Sequence, residues 1–287
     1  MSRIAYVNGR YVPHAAAGVH VEDRGYQFAD GVYEVVLVHR SHMVDEEPHL
    51  DRLDRSLSEL RISRPMPRAP LRQIMREMVR RNRLNDGIVY IQVTRGVARR
   101  DHPFPKNTKP SLVMTARRLA MPDLAKAEEG VAVLTIPDIR WARCDIKSVS
   151  LLPNVLGKQQ AREAGAYEAW QVTEEGLVTE GTSTNAWIVT PDGELVTRQI
   201  GKKILSGITR GVLIALAEAE GVTLVERSFS VAEALGAREA FVSSATSFIT
   251  PVTRIDGTVI GNGRAGSISM RLLEAYLDHA TGLGASA

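Results

Sequence analysis

The chain has 287 residues, of which 44% are hydrophobic and 24% are charged, and its formal net charge is +3. These values are ordinary for a soluble enzyme with one large or two smaller domains. Basic residues are interspersed with acidic ones, so the charge does not indicate a nucleic-acid partner. The single cysteine, Cys144, excludes an internal disulfide and the cysteine zinc patterns, and the scattered histidines predict no metal site.

Membrane and targeting signals are missing from the sequence pattern. No run of about 18 apolar residues predicts a membrane span. The first residues also lack the long apolar segment of a secretory signal. We therefore expect no membrane partner and a cytoplasmic location.

The first part of the chain predicts a sheet covered by helices. Asn8-Gly9 between two short β-rich runs is typical of a tight hairpin. Apolar residues at three- and four-residue steps predict two amphipathic helices, and β-rich runs predict three further strands. The predicted helices are His49–Ile62 and Pro70–Leu84, and the predicted strands are Arg3–Val7, Arg10–Val12, Val32–His39, Gly87–Gly96 and Ser111–Ala116.

Residues Arg117–Glu129 read as a linker, and strand patterns dominate after it. Helices are predicted at Val155–Ala164, Thr209–Glu220 and Gly266–His279. Strands are predicted at Val131–Ile136, Ala169–Thr173, Ala186–Val189, Glu194–Thr197, Thr223–Arg227 and Ala240–Ser244. The pattern as a whole predicts a mixed α/β (α+β) fold.

Two residues in the second half suggest a cofactor. Lys147 ends the motif Arg-Cys-Asp-Ile-Lys (143–147), and Glu180 opens Glu-Gly-Thr-Ser-Thr-Asn (180–185). A lysine can form a Schiff base with an aldehyde cofactor, and a carboxylate can keep a pyridine nitrogen protonated. Taken alone, the ordinary reading of Lys147 is a surface lysine, and that of Glu180 is a turn carboxylate before a strand.

The two motifs and their spacing resemble the pyridoxal 5'-phosphate (PLP) enzymes of fold type IV, the class IV aminotransferase family of D-amino-acid and branched-chain enzymes. The resemblance spans about Tyr6 to Leu277. It implies that Lys147 holds PLP as a Schiff base and moves the substrate's proton. It also implies that Glu180 pairs with the pyridinium nitrogen.

The resemblance also implies a phosphate site. Arg52 on a predicted helix, and Ile208 and Thr209 at the start of another, match phosphate-binding segments of the family. A helix N-terminus is a natural anion site, although a plain helix cap is the ordinary reading. The segment Ser244, Ala245 and Thr246 is the third match; Ala245 stands where a relative can carry threonine.

Substrate recognition depends on two further segments. By resemblance to the D-amino-acid branch, Tyr33, Arg100 and His102 bind the substrate's α-carboxylate, as paired guanidinium hydrogen bonds would allow. Val35 and Ser183 are expected to contact substrate as well. A solvent-facing basic loop is the ordinary reading of Arg99-Arg100. Branched-chain enzymes usually carry tyrosine five residues after the lysine, where this chain has Leu152.

These features predict transamination between a D-amino acid and a 2-oxo acid, 2-oxoglutarate or pyruvate, by a ping-pong mechanism. The alternatives are a branched-chain L-aminotransferase, an (R)-amine transaminase, an aminodeoxychorismate lyase, and a silent PLP-binding protein of the same fold. The resemblance further implies two domains, 1–120 and 121–287, with PLP between them and the lysine in the second. It implies a homodimer whose active sites lie near the subunit boundary.

Overall fold

The computed structural model describes residues Arg3–Gly282. These residues form two compact units. The first comprises residues up to Met121 together with Ile146–Ser150, and the second comprises Pro122–Asp145 and the residues from Leu151 onward. The segment that carries Lys147 thus groups with the first unit, whereas the sequence assigned it to the second domain. The boundary at residues 120 and 121 stays a prediction.

The first unit is an antiparallel sheet with helices on one face. Among the described residues, its six strands have the order β2-β1-β6-β5-β3-β4. In chain order the elements are β1 (Ile4–Val7), β2 (Arg10–Pro13), α1 (Arg24–Phe28), β3 (Gly31–His39), β4 (His42–Met43), α2 (Glu46–Glu59), α3 (Arg68–Arg81), β5 (Gly87–Thr94) and β6 (Ser111–Arg118).

The core of the first unit lies between the sheet and helices α2 and α3. Alternate residues of β3 face this core, and apolar residues of the helices pack onto them. The buried set includes Val32, Val36, Val38, Leu50, Leu53, Leu57, Met75, Met78, Val89, Ile91, Met114 and Ile146. The other residues of β3 lie on the opposite face of the sheet, which carries Tyr33 and Val35.

The second unit is built on a larger mixed sheet. Within Arg3–Gly282 it has nine strands in the order β12-β11-β10-β13-β14-β7-β8-β9, with β15 beside β14. The elements are α4 (Leu124–Ala127), β7 (Val131–Pro137), α5 (Leu152–Glu163), β8 (Glu168–Val172), β9 (Val178–Gly181), β10 (Asn185–Val189), β11 (Leu195–Thr197), α6 (Ile208–Ala219), β12 (Leu224–Glu226), α7 (Val231–Leu235), β13 (Glu239–Ser244), β14 (Phe248–Ile255), β15 (Thr258–Val259) and α8 (Ser267–Thr281).

The predicted mixed α/β fold is confirmed, and so is the first hairpin, in which Asn8 and Gly9 both have positive φ. Helix α2 begins three residues before its predicted start, because Pro48 is tolerated in a first helical turn. The sequence did not predict α1, β4, β9, α7, β14 or β15, and it read the segment that contains α4 as a linker. Strand β14 contains Pro251, which argues against a strand in sequence reasoning. None of the described helices is both long and apolar enough to cross a membrane.

Candidate active site

The backbone around Lys147 is fixed against the first sheet. Tyr33 N donates to Lys147 O at 3.0 Å, and Val149 N donates to Gly31 O at 3.0 Å, so this segment pairs with the start of β3. Lys147 N also donates to Ser56 Oγ of α2 at 3.3 Å. The side chain is half-buried, and its Nζ lies 4.3 Å from the centroid of the Tyr33 ring. The sheet thus holds this amine beside an aromatic face.

Tyr33 belongs to a polar aromatic patch on the sheet face opposite helices α2 and α3. Its ring stacks on Tyr90 of β5, with centroids 5.7 Å apart and planes at 29°. The Tyr90 hydroxyl donates to Gln92 Oε1 at 2.7 Å. Burial raises the pKa of Tyr90 to about 12, and the neighbouring Tyr33 adds to the shift. Tyr90 is therefore a neutral hydrogen-bond donor at physiological pH. Val35 is half-buried on the same face.

Arg52 is held by a buried carboxylate on the helix-covered face. Glu34 is completely buried and accepts from Arg52 Nε and Nη2, both at 2.8 Å, and from His49 Nδ1 at 2.7 Å. Burial tends to raise the pKa of Glu34, but the Arg52 charge and the hydrogen bonds from Arg52 and His49 outweigh it and hold this pKa at about 2. Glu34 thus fixes the orientation of the guanidinium.

Replacement of this carboxylate is expected to destabilise the protein. A Glu34→Gln variant removes the negative charge that faces the buried Arg52 guanidinium, which costs about 3–5 kcal/mol. The melting temperature measured by circular dichroism at pH 7 should fall clearly. The two surface ion pairs of Glu77, with Arg80 and with Arg81, provide the control. Glu77→Gln should change the melting temperature little.

The same carboxylate predicts how this difference depends on pH. The folded pKa of about 2 lies below the ordinary value of 4.5, so the ionised group stabilises the protein above pH 4.5. That stability, about 3 kcal/mol, is lost as pH falls from about 4.5 towards 2. The melting-temperature difference between wild type and Glu34→Gln should therefore shrink below pH 4.5. An equal difference at pH 7 and pH 3 would contradict the assignment.

In the second unit, Glu180 lies at the end of β9 within a fixed set of donors. Its carboxylate accepts from Arg140 Nη1, from Asn185 Nδ2 at 3.1 Å and from Leu205 N at 3.2 Å. Arg140 also donates to Asp138 at 2.8 and 2.9 Å, and it is nearly buried. Burial tends to lower the pKa of Arg140, but Asp138 and Glu180 raise it overall. The three donors therefore fix the orientation of the Glu180 carboxylate, and the Arg140 guanidinium faces its negative charge.

The same asparagine connects Glu180 to the start of α6. Asn185 Nδ2 donates to Leu205 O at 3.0 Å as well as to Glu180. A Cβ on Gly207, the N-cap of α6, would lie 2.1 Å from Asn185 Oδ1, so any larger residue there would displace the Asn185 amide from its present position. Gly207 has no side chain that could cap α6, which begins at Ile208 and continues with the buried Thr209. The N-terminus of α6 thus lies close to the carboxylate.

Two loops of the second unit carry four further residues of the predicted site, Ser183, Ser244, Ala245 and Thr246. Ser244 Oγ, at the end of β13, accepts from Thr246 N at 3.3 Å and from Ser247 N at 3.0 Å, which forms a compact turn that includes Ala245. Ser183 is exposed, and its hydroxyl donates to Glu168 Oε2 at 3.1 Å. The hydroxyls of Thr182 and Thr184 donate to the same completely buried carboxylate. Glu168 thus orders the loop that follows Glu180.

Arg100 and His102 lie on an exposed loop between β5 and β6. Arg100 Cζ lies 4.9 Å from the centroid of the Phe28 ring, and the His102 ring lies 5.5 Å from the same ring. Within the described part of the chain, no hydrogen bond, ion pair or ring contact joins Tyr33 to either residue. The three predicted carboxylate-binding residues are therefore not brought together by such contacts.

Comparison with known proteins identifies the family. The family model described as Amino-transferase class IV matches residues 31–255. The chain belongs to the class IV aminotransferases. It is 39% identical to a D-alanine aminotransferase of Bacillus licheniformis over 93% of this chain and 94% of that protein. It is 40% identical to a D-alanine aminotransferase of Listeria monocytogenes serotype 4b over 95% of this chain and 94% of that protein.

The fold of this class IV aminotransferase is similar to solved branched-chain amino acid aminotransferases. The Escherichia coli structure has a TM-score of 0.91 at 26% identity and covers 98% of this chain and 96% of its own. The Thermoproteus uzoniensis structure with norvaline has a TM-score of 0.87 at 26% identity, with coverage of 98% and 96%. A branched-chain enzyme solved with pyridoxamine 5'-phosphate has a TM-score of 0.90 at 25% identity and covers 98% and 95%. The predicted fold type, enzyme class and PLP dependence are thereby confirmed.

The residues of this aminotransferase fit the cofactor by their donor chemistry. An oriented carboxylate suits a pyridinium nitrogen, and a helix N-terminus with a glycine N-cap suits a phosphate group. The half-buried Lys147 suits an aldehyde. The assignment of each predicted residue to these roles stays a prediction.

Sequence reasoning missed several residues that organise these sites. Glu34 lies in a predicted strand and Asn185 lies in the motif 180–185, but neither had been given a role. Arg140 and Glu168 lie outside those motifs. A buried arginine and a buried glutamate are unusual enough to signal a function once burial is known. Burial depends on tertiary packing, so the sequence carried no signal for them.

Proposed function

We propose that this class IV aminotransferase moves an amino group between a D-amino acid and a 2-oxo acid, 2-oxoglutarate or pyruvate. One observation carries the D-specific part of the proposal. The chain is 38–40% identical to D-alanine aminotransferases over nearly its full length, but only 24–26% identical to the branched-chain enzymes that share its fold. Similarity of fold does not separate the two branches, whereas identity of this size does favour one.

The proposed roles follow from the donor chemistry. Lys147 Nζ would hold PLP and accept the proton that leaves the amino acid's Cα. When bound, PLP supplies an electron sink for the resulting negative charge. Glu180 would keep the ring nitrogen protonated. The phosphate would be held by Arg52, by the start of α6 at Ile208 and Thr209, and by the turn formed by Ser244, Ala245 and Thr246.

The substrate end is the other half of the proposal. Tyr33, Arg100 and His102 would bind the α-carboxylate and so fix which Cα–H bond faces Lys147. Val35 and Ser183 would contact the side chain. The exposure of Arg100 and His102 in the single chain leaves their donors available to a ligand.

We also propose a homodimer. Helix α5 exposes Leu152, Val155 and Leu156, which are 69%, 59% and 55% accessible and lie at three- and four-residue steps on one face. An exposed apolar stripe of this kind is typical of a surface that another chain covers. Sedimentation of the purified protein should give twice the chain mass, and a Leu156→Glu variant should weaken the association. A cytoplasmic location stays a prediction.

The test of handedness uses the cofactor's own absorbance. Purified, PLP-loaded protein is mixed with D-alanine, D-glutamate, L-leucine or L-glutamate, and conversion to pyridoxamine phosphate is followed. We expect conversion with the D forms only. Conversion with the L forms only would move the protein to the branched-chain branch and would contradict the proposed role of Tyr33, Arg100 and His102. No conversion with any of the four amino acids would contradict the proposed function and leave the (R)-amine transaminase, the lyase and the silent PLP-binding alternatives.

A further inference from the structure

Arg24 stands in the motif Asp-Arg-Gly-Tyr (23–26) at the start of α1, and it is only 3% exposed. Its Nε donates to Asp30 Oδ2 at 2.8 Å. Its Nη1 and Nη2 donate to the backbone carbonyls of Asp101 and His102 at 2.5 and 3.2 Å. A buried guanidinium thus uses two of its nitrogens to hold the backbone of an exposed loop.

Asp30 joins Arg24 to a second buried arginine. Arg95 Nε and Nη2 donate to Asp30 at 2.7 and 3.0 Å. The same guanidinium donates to the carbonyls of Leu60 and Arg61 at the end of α2, at 2.7 and 2.9 Å. Its Cζ lies 3.6 Å from the centroid of the Phe104 ring. The loop is therefore held at Asp101 and His102 by one arginine and at Phe104 by the other.

The last residue of α1, Phe28, contributes an aromatic surface to the same loop. The Arg24 Cζ lies 4.7 Å from its ring centroid, and the Arg100 Cζ lies 4.9 Å from it. The His102 ring lies 5.5 Å from the same ring. Guanidinium and imidazole groups are attracted to aromatic faces. The Phe28 ring thus lies beside the side chains of both Arg100 and His102.

Because Arg24, Asp30 and Arg95 link the loop to buried structure, we propose that they form a clamp that positions Arg100 and His102 for the substrate's carboxylate. This inference rests on the proposed function. Exposed loops are mobile, and ordering one on substrate binding lowers affinity. The carbonyls of Asp101 and His102 are already bound by Arg24, so the loop loses less conformational freedom when a carboxylate binds. Arg24 is therefore a positioning residue that sets affinity for the amino acid without touching it.

Half-reaction kinetics with D-alanine test the clamp. In Arg24→Met, which loses all three hydrogen bonds, the concentration of D-alanine at half-maximal rate should rise roughly tenfold or more. The dissociation constant of PLP should stay within about twofold of wild type, because the loop is not proposed to hold the cofactor, and the saturated rate should fall by less than the affinity for D-alanine. Arg24→Lys should lie between the two proteins, because lysine keeps the charge but not the fork of donors. The matched control is Arg80→Met, which removes an exposed arginine of α3.

Hydrogen exchange gives a second measurement that does not depend on activity. Backbone amides of residues 99–102 and of Phe104 should exchange faster in Arg24→Met than in wild type or Arg80→Met. Unchanged exchange and unchanged D-alanine affinity would overturn the clamp. Equal losses of affinity, saturated rate and PLP binding would assign Arg24 a general structural role and would also overturn it.

The outcomes separate the clamp from the proposed function. If wild type reacts with no D-amino acid, the proposed function fails, whatever the exchange of the loop shows. If wild type reacts and the variants behave like it, only the clamp fails. Should Arg24→Met not fold, Arg24→Lys and Phe104→Leu test the two ends of the clamp with the same measurements.

Discussion

A Lys147→Ala variant should lose transamination, with the rate of the half-reaction with D-alanine reduced by about 10⁴-fold. The substitution removes both the amine proposed to hold the cofactor and the base proposed to move the proton. The backbone of this segment is fixed by hydrogen bonds with Gly31, Tyr33 and Ser56 that do not involve the lysine side chain. The variant should therefore fold, and the loss can be assigned to the amine.

Chemical trapping checks the same residue directly. Borohydride reduction of the PLP-loaded wild type, followed by tryptic mass spectrometry, should place the cofactor mass on a peptide with a missed cleavage at Lys147. Lys126→Ala, which changes an exposed lysine of α4, is the control and should retain full activity. Turnover by Lys147→Ala at the wild-type rate, or trapping on another lysine, would contradict the assignment.

A Glu180→Gln variant should lower the saturated rate of the half-reaction by about 10²–10³-fold, with a smaller effect on PLP affinity. The charge, rather than the shape, of this side chain is proposed to stabilise a protonated ring nitrogen. The amide cannot satisfy its donors equally well, because Arg140, Asn185 and Leu205 N all donate to the present carboxylate. A modest loss of PLP affinity is therefore expected as well.

Asp138→Asn provides the matched control for Glu180→Gln. Asp138 pairs with the same Arg140, and Arg140 and Thr179 hold its pKa below the ordinary value despite burial. Its removal also disturbs the arginine but leaves the Glu180 charge in place. Rates with D-alanine and PLP titrations should show a much larger rate loss for Glu180→Gln. Equal losses in the two variants would show that the Arg140 network, and not the Glu180 charge, determines the rate.

Local patterns predicted much of the fold, because they reflect forces within a few residues. The Asn8-Gly9 turn and the apolar steps of α2 are of this kind. Strand β14 was missed because Pro251 weighs against a strand locally, while pairing with β13 and β7 overrides that preference. Short elements such as α1 depend on a single cap, here Asp23 Oδ1, which accepts from Gly25 N at 2.8 Å.

The candidate site was predicted only through its motifs. Lys147 and Glu180 were singled out because they stand in recognisable sequence motifs. The contacts that orient them come from distant parts of the sequence. Arg140 reaches Glu180 across 40 residues, and Ser56 reaches Lys147 across 91. Pairings of this range are set by packing and topology, which periodicity does not encode.

The chain leaves the first unit after Met121 and returns to it for Ile146–Ser150. During synthesis, Gly31 and Tyr33 of β3 therefore cannot form their hydrogen bonds with Val149 and Lys147 until the chain has been made to about residue 150. A gene fragment that ends at Met121 encodes an unfinished unit. A chimaera with a single junction near Met121 would likewise take β3 and Lys147 from different parents. The lysine and the strand that supports it stay together only in a fragment that extends to Ser150.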